Sequence, residues 1–107
     1  MADFAHPSER ELAGLFDSYG IEWEYEPTTF VLERADDGNV RSAFTPDFYL
    51  PSFDIYVELT TLRQPLVTRK HRKLRMLAEQ RPDVRVKLLY RKDLERLGAK
   101  YGLADAA

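Results

Sequence analysis

The chain has 107 residues, 44% hydrophobic and 12% aromatic, enough for one core and too few for two ordinary domains. It has no cysteine and two histidines, which excludes a disulfide framework, a thiolate zinc site and a zinc cage built from histidine alone. A formal charge of −2 and a pI near 5.7 exclude a polycation that coats nucleic acid with its whole surface.

The segment Met1-Ala2-Asp3-Phe4-Ala5-His6-Pro7 lacks the basic-then-apolar pattern of a secretory signal. No apolar run approaches the roughly 20 residues needed to span a bilayer, so a cytoplasmic protein with no membrane partner is expected. Next, Ser8 caps a predicted helix and Glu11 closes a capping box. Leu12, Leu15, Phe16 and Tyr19 recur at helical spacing and Gly20 stops the element. Residues 21–26 alternate with period two, and after Pro27 strand-like composition resumes over 29–33. Trp23, Tyr25 and Phe30 read as core aromatics. Asp36-Asp37-Gly38-Asn39 is a turn into a strand over 40–50, where Pro46 marks an edge, a bulge or a strand start. A second turn, Pro51-Ser52-Phe53-Asp54, precedes the most strand-like stretch, residues 54–60. Leu66, Lys70, Lys73, Leu74 and Leu77 then follow helical spacing as far as Pro82. A strand over 84–89 and a short helix over 91–97 come last, with a frayed tail over 102–107. Strands linked by hairpins, then a helix crossing to one more strand, make an α/β fold: one domain over 1–107, with a short mixed sheet flanked by helices. Both histidines read as incidental.

Two strand segments each carry one carboxylate: Thr45-Pro46-Asp47-Phe48-Tyr49-Leu50-Pro51, and Tyr56-Val57-Glu58-Leu59-Thr60. Together with the flanking elements they resemble the PD-(D/E)xK nuclease superfamily, which includes restriction endonucleases, Holliday-junction resolvases and very-short-patch-repair-type endonucleases. The likeness covers most of residues 6–97 and implies a restriction-endonuclease-like α-β-β-β-α-β core. Pro46-Asp47 and Glu58 match the motif, Thr60 stands where the motif lysine is expected, and Glu9 matches a helical glutamate seen in many members.

The resemblance implies Mg²⁺ or Mn²⁺ held by Asp47, Glu58 and the backbone carbonyl of Leu59, with Glu9 assisting. Glu58 and Thr60 are two apart and project from one sheet face. A threonine hydroxyl can hold a water but brings no cation. Members of the superfamily carry the lysine on the following helix instead, which points to Lys73 first and Lys70 second; Gln64 and Glu26 are weaker candidates. Arg69, Lys70, His71, Arg72, Lys73 and Arg75 form a basic segment, and Arg63, Arg69, Lys70 and Arg72 are expected to follow a phosphate backbone without reading bases. DNA is the expected partner ahead of RNA. Cutting both strands would need a homodimer or a partner domain.

Plainer readings stand beside these. Asp47 can be a turn residue, Glu9 can simply favour the positive end of its helix, and Thr60 is an ordinary β-branched strand residue. A salt bridge from Glu58 to Lys73 would satisfy that carboxylate with no catalysis. The whole fold can serve as an inactive nuclease-like module for nucleic-acid binding, regulation or protein interaction. Without nucleic acid, Asp47 and Glu58 can belong to a buried ion-pair network with Lys73 and Arg41.

Overall fold

The computed structural model describes residues 4–60 and 64–100, the second span without the side chains of 64–67 and 97–100. The side chains of Arg63, Gln64 and Leu66 and the tail over 102–107 therefore lie outside the described residues. The elements are α1 (Pro7–Ser18), β1 (Glu24–Tyr25), β2 (Phe30–Arg34), β3 (Val40–Phe44), β4 (Phe48–Leu50), β5 (Ile55–Thr60), α2 (Gln64–Gln80), β6 (Val86–Tyr90) and α3 (Arg91–Lys100). None of the described helices is long and apolar enough to cross a membrane.

Helix α1 begins two residues earlier than the capping box implies. Pro7 occupies its first turn, where a missing N–H costs nothing, and His6 Nδ1 accepts from Ser8 N at 3.1 Å. His6, not Ser8, is thus the cap, and Ser8 is buried. At the other end Gly20 N donates to Asp17 O at 3.0 Å and Ile21 N to Phe16 O at 2.8 Å. This double closure needs a left-handed residue between them, which Gly20 supplies at φ +66°.

The strand expected over 40–50 is two strands in two sheets. Val40–Phe44 pairs with β2 alone, whereas Phe48–Leu50 runs antiparallel to both β1 and β5. The chain changes sheets at Thr45-Pro46-Asp47, where Pro46 cannot donate to a ladder. Helix α2 then returns the chain so that β6 lies parallel to β5, giving a mixed four-stranded sheet in the order β1-β4-β5-β6 beside a two-stranded sheet β2-β3.

Alternation along β5 divides the core. Val57 and Leu59 join Phe48 and Leu50 against Leu12, Leu15 and Phe16 of α1 and Leu94 of α3. On the opposite face, Tyr56 and Val86 pack with Leu74, Met76 and Leu77 of α2 and with Phe30, Leu32 and Phe44 of the small sheet. Glu58 and Thr60 alternate onto this second face, under α2.

Phe48 is 0% exposed, and the rings of Phe4, Phe16, Trp23 and Tyr25 surround it at centroid distances of 5.5 to 6.1 Å. Truncating it to alanine is expected to lower the unfolding free energy by roughly 3–5 kcal/mol, whereas Val40→Thr on the exposed edge should stay within about 0.5 kcal/mol. Urea midpoints measure both; a loss below about 1 kcal/mol for Phe48→Ala would contradict this core.

Candidate active site

The site begins where a ladder stops. Antiparallel pairing of β4 with β5 matches Phe48 to Val57, Tyr49 to Tyr56 and Leu50 to Ile55. Extended by two residues, that register would set Pro46 opposite Leu59, and Pro46 has no N–H to offer the Leu59 carbonyl. Pairing ends at Phe48, and the Asp47 side chain takes over the role of a strand partner. Its Oδ2 accepts from Leu59 N at 2.8 Å, while Asp47 N donates to Glu58 Oε1 at 2.9 Å. The Asp47 carbonyl accepts from Glu26 N at 2.8 Å, so Glu26 contributes its backbone, and its side chain is exposed. Three backbone contacts thereby fix the Pro-Asp pair.

Lys70 completes the cluster. Its Nζ lies 2.6 Å from Glu58 Oε2, with both side chains largely buried, and 3.4 Å from the Leu59 carbonyl. Lys73, the first choice from sequence, goes elsewhere: its Nζ donates to Ala43 O at 2.9 Å. The reason is helical phase. Lys70, Leu74 and Leu77 share a stripe that meets Glu58, Tyr56 and Val86 of the main sheet as well as Phe30, Leu32 and Phe44 of the small one, whereas Lys73 and Gln80 share one turned to the backbone of β2-β3, where Gln80 Nε2 donates to Leu32 O at 2.8 Å. Arg41 does not join the cluster either; it faces Glu33 at 4.0 Å on the surface.

Glu9 is buried beside the cluster but held by its own partners. Its Oε1 accepts from Tyr25 Oη at 2.7 Å and from Ala5 N at 3.1 Å. Burial, then the bond to Glu9, pushes the Tyr25 hydroxyl up to about 12. Thr60 is 2% exposed, and its Oγ1 has no hydrogen-bond partner among the described residues. An unsatisfied buried hydroxyl costs about 1–3 kcal/mol, so this atom suits a bound water or ligand oxygen.

The electrostatics are those of a site short of positive charge. Burial raises the Asp47 carboxyl well above the ordinary carboxylate range, and the nearby charges of Glu58 and Glu9 raise it further against the Leu59 N–H and Lys70. Burial raises Glu58 as well, with Lys70 opposing. Among the described residues no three His, Asp or Glu side chains converge as a metal cage. Mg²⁺ rarely uses one; it takes one or two carboxylates and completes its shell with waters and phosphate. Two hard carboxylates, a strand carbonyl without a ladder donor and an orphaned hydroxyl fit that ion.

Arg69 and Arg72 are exposed on the outer side of α2, about 100° and about 160° around the helix from Lys70. Sequence reading missed the contact between His71 Nε2 and Tyr90 Oη at 3.0 Å; Tyr90 is the register partner of Thr60. Pairing of β5 with β6 was the only signal for it. A cleft of about 540 Å³ lined by Asp17, Glu22, Trp23 and neighbouring residues shares no residue with the cluster. Comparison with protein-family models, curated proteins and solved structures finds no match to the chain.

A raised Asp47 carboxyl has a definite sign in stability. Its contribution is fully present below the unfolded value near 4 and is lost as pH rises through the folded value. In EDTA, wild type should therefore lose stability relative to Asp47→Asn as pH climbs from about 4, by at most about 1.4 kcal/mol per pH unit. Denaturant unfolding at a series of pH values measures the difference; a flat difference between about pH 5 and 8 would contradict a raised carboxyl at Asp47.

Proposed function

We propose that this is a Mg²⁺-dependent nuclease domain of restriction-endonuclease-like topology, acting on the phosphodiester backbone of DNA or a structured nucleic-acid intermediate. The observation that carries the reading is the position of Lys70: with Thr60 in the motif-lysine position, α2 supplies an ammonium to Glu58 at 2.6 Å. Asp47, Glu58 and Lys70 thereby form the acid-acid-lysine trio that the chemistry requires, assembled from two strands and a helix.

Each group has a role that follows from its setting. Asp47, Glu58 and the Leu59 carbonyl would hold the ion, which when bound supplies positive charge to a non-bridging phosphate oxygen and acidifies water. Lys70 would steady negative charge on the phosphoryl group as it develops. The Thr60 hydroxyl, buried and without a partner among the described residues, would orient a water. Arg69 and Arg72 would track the phosphates to either side, positioning the strand without selecting its sequence.

A second reading has its own observation. The same short contact between Lys70 and Glu58 balances one of the carboxylates without metal, as a purely structural ion pair would. On that reading the domain binds nucleic acid through Arg69, Lys70 and Arg72, or a protein partner, and does not cut.

Cleavage assays in Mg²⁺ or Mn²⁺ over linear, branched and mismatched DNA separate the two. Asp47→Ala, Glu58→Ala and Lys70→Ala should each lose roughly 10²-fold or more in rate, while Lys73→Ala should stay within a few-fold. Activity that survives Glu58→Ala would place the chemistry elsewhere; salt-sensitive binding with no cleavage by any form would favour the second reading. In either case Arg69→Ala and Arg72→Ala should each weaken binding about equally across sequences and reduce the salt slope by roughly one.

A further inference from the structure

We infer that Lys70 is a built-in competitor of the divalent ion, whose ammonium occupies the ligand oxygens until an anionic backbone draws it away. The inference rests on the metal-site reading above and concerns its regulation. Of the three groups that would hold the ion, two are already in contact with the Lys70 ammonium: Glu58 Oε2 at 2.6 Å and the Leu59 carbonyl at 3.4 Å. The third, Asp47, has Oδ2 committed to Leu59 N at 2.8 Å. Mg²⁺ holds its ligands at about 2.0–2.1 Å. An ion at that distance from Glu58 Oε2 would lie against the ammonium, with like charges in a poorly solvated site. Ion and ammonium are therefore alternative occupants.

The ammonium has a means of leaving and a place to go. Lysine is a point charge on a flexible four-carbon stem, and the Lys70 side chain keeps 13% of its surface exposed beside Glu58. A backbone phosphate entering beside the ion would attract the ammonium as it gives up Glu58. The consequence is coupling: nucleic acid should tighten metal binding, and metal should tighten nucleic-acid binding by the same factor. In the absence of both, the ion pair satisfies Glu58, a carboxylate 5% exposed, and keeps the metal-free fold intact.

Titration calorimetry with Mn²⁺ alone tests the competition. Lys70→Met, which keeps the stem and removes the charge, should bind Mn²⁺ at least roughly tenfold more tightly than wild type, even though it loses cleavage. Titration with Ca²⁺, with and without a short DNA duplex, tests the coupling: the duplex should tighten Ca²⁺ binding to wild type and have little effect on Lys70→Met. A third measurement needs no variant: in wild type, acylation of Lys70 by an N-hydroxysuccinimide ester, followed by mass spectrometry, should speed up when Mn²⁺ is added, with Lys73 as the internal reference. Mn²⁺ binding that is equal or weaker in Lys70→Met, or Lys70 acylation unchanged by bound Mn²⁺, would overturn the competition and leave the metal site standing. No Mn²⁺ binding by either form would overturn the metal-site reading and the competition together.

Discussion

Asp47 and Glu58 are each more than nine-tenths buried, and their side chains reach each other's backbone: Glu58 Oε1 accepts from Asp47 N, and Asp47 Oδ2 from the N–H of Leu59, next to Glu58. Moving a carboxylate from water into protein costs several kcal/mol even after relaxation. Backbone N–H groups already fixed by the sheet offset part of this with little further loss of conformational freedom, since the strands have ordered them. The balance must come from a cation, a proton or both. The raised carboxyl of Asp47 is the proton share, and Lys70 beside Glu58 is the cation share.

That requirement reaches well beyond the cluster. Lys70 meets Glu58 only if α2 lies across the β5-β6 pair, and Leu74 and Leu77 bury against the same face to hold it there. Asp47 can bond to Leu59 only if β4 stops at Phe48, and Pro46 is what stops it. The same proline sends the chain from the small sheet to the large one, so the change of sheet and the carboxylate site have one cause. Helix α2 serves both layers: the Lys70 stripe meets the four-stranded sheet, and Lys73 and Gln80 donate to carbonyls of β3 and β2.

These relations explain which features were legible in the sequence. The carboxylate pair was, because Asp47 and Glu58 interrupt apolar runs and each had to be explained. The order of helices and strands was, because α1, β5 and α2 keep long, clean periods. The choice of lysine was not. Lys70 and Lys73 are three apart on a helix, and their phases differ only relative to what the helix packs on; with residues 40–50 taken as one strand, no second layer existed for Lys73 to face. His6 reads as incidental because it stands just before the helix start, yet that is the cap position, and Pro7 marks the first turn. His71 and Tyr90 lie on different elements and meet only through the parallel pairing of β5 with β6, which residue spacing along the chain does not encode.

On the nuclease reading proposed above, Thr60 and Lys70 make one exchange. A lysine at position 60 would project from the strand on the same face as Glu58, beneath α2, where the present residue is 2% exposed. Position 70 already brings an ammonium to that face, and two cations beside one carboxylate would repel each other in a poorly solvated space. With the charge supplied from the helix, position 60 is left with a small branched residue that suits a strand and still offers a hydroxyl. The exchange changes more than the address of the charge. A lysine on β5 would share a rigid strand with Glu58 and a neighbouring ladder, whereas Lys70 reaches in from a separate layer on a flexible stem. On the proposed reading it withdraws without disturbing the strand that holds Glu58 and Leu59, and the carboxylates accept a different cation while the sheet stays as it is.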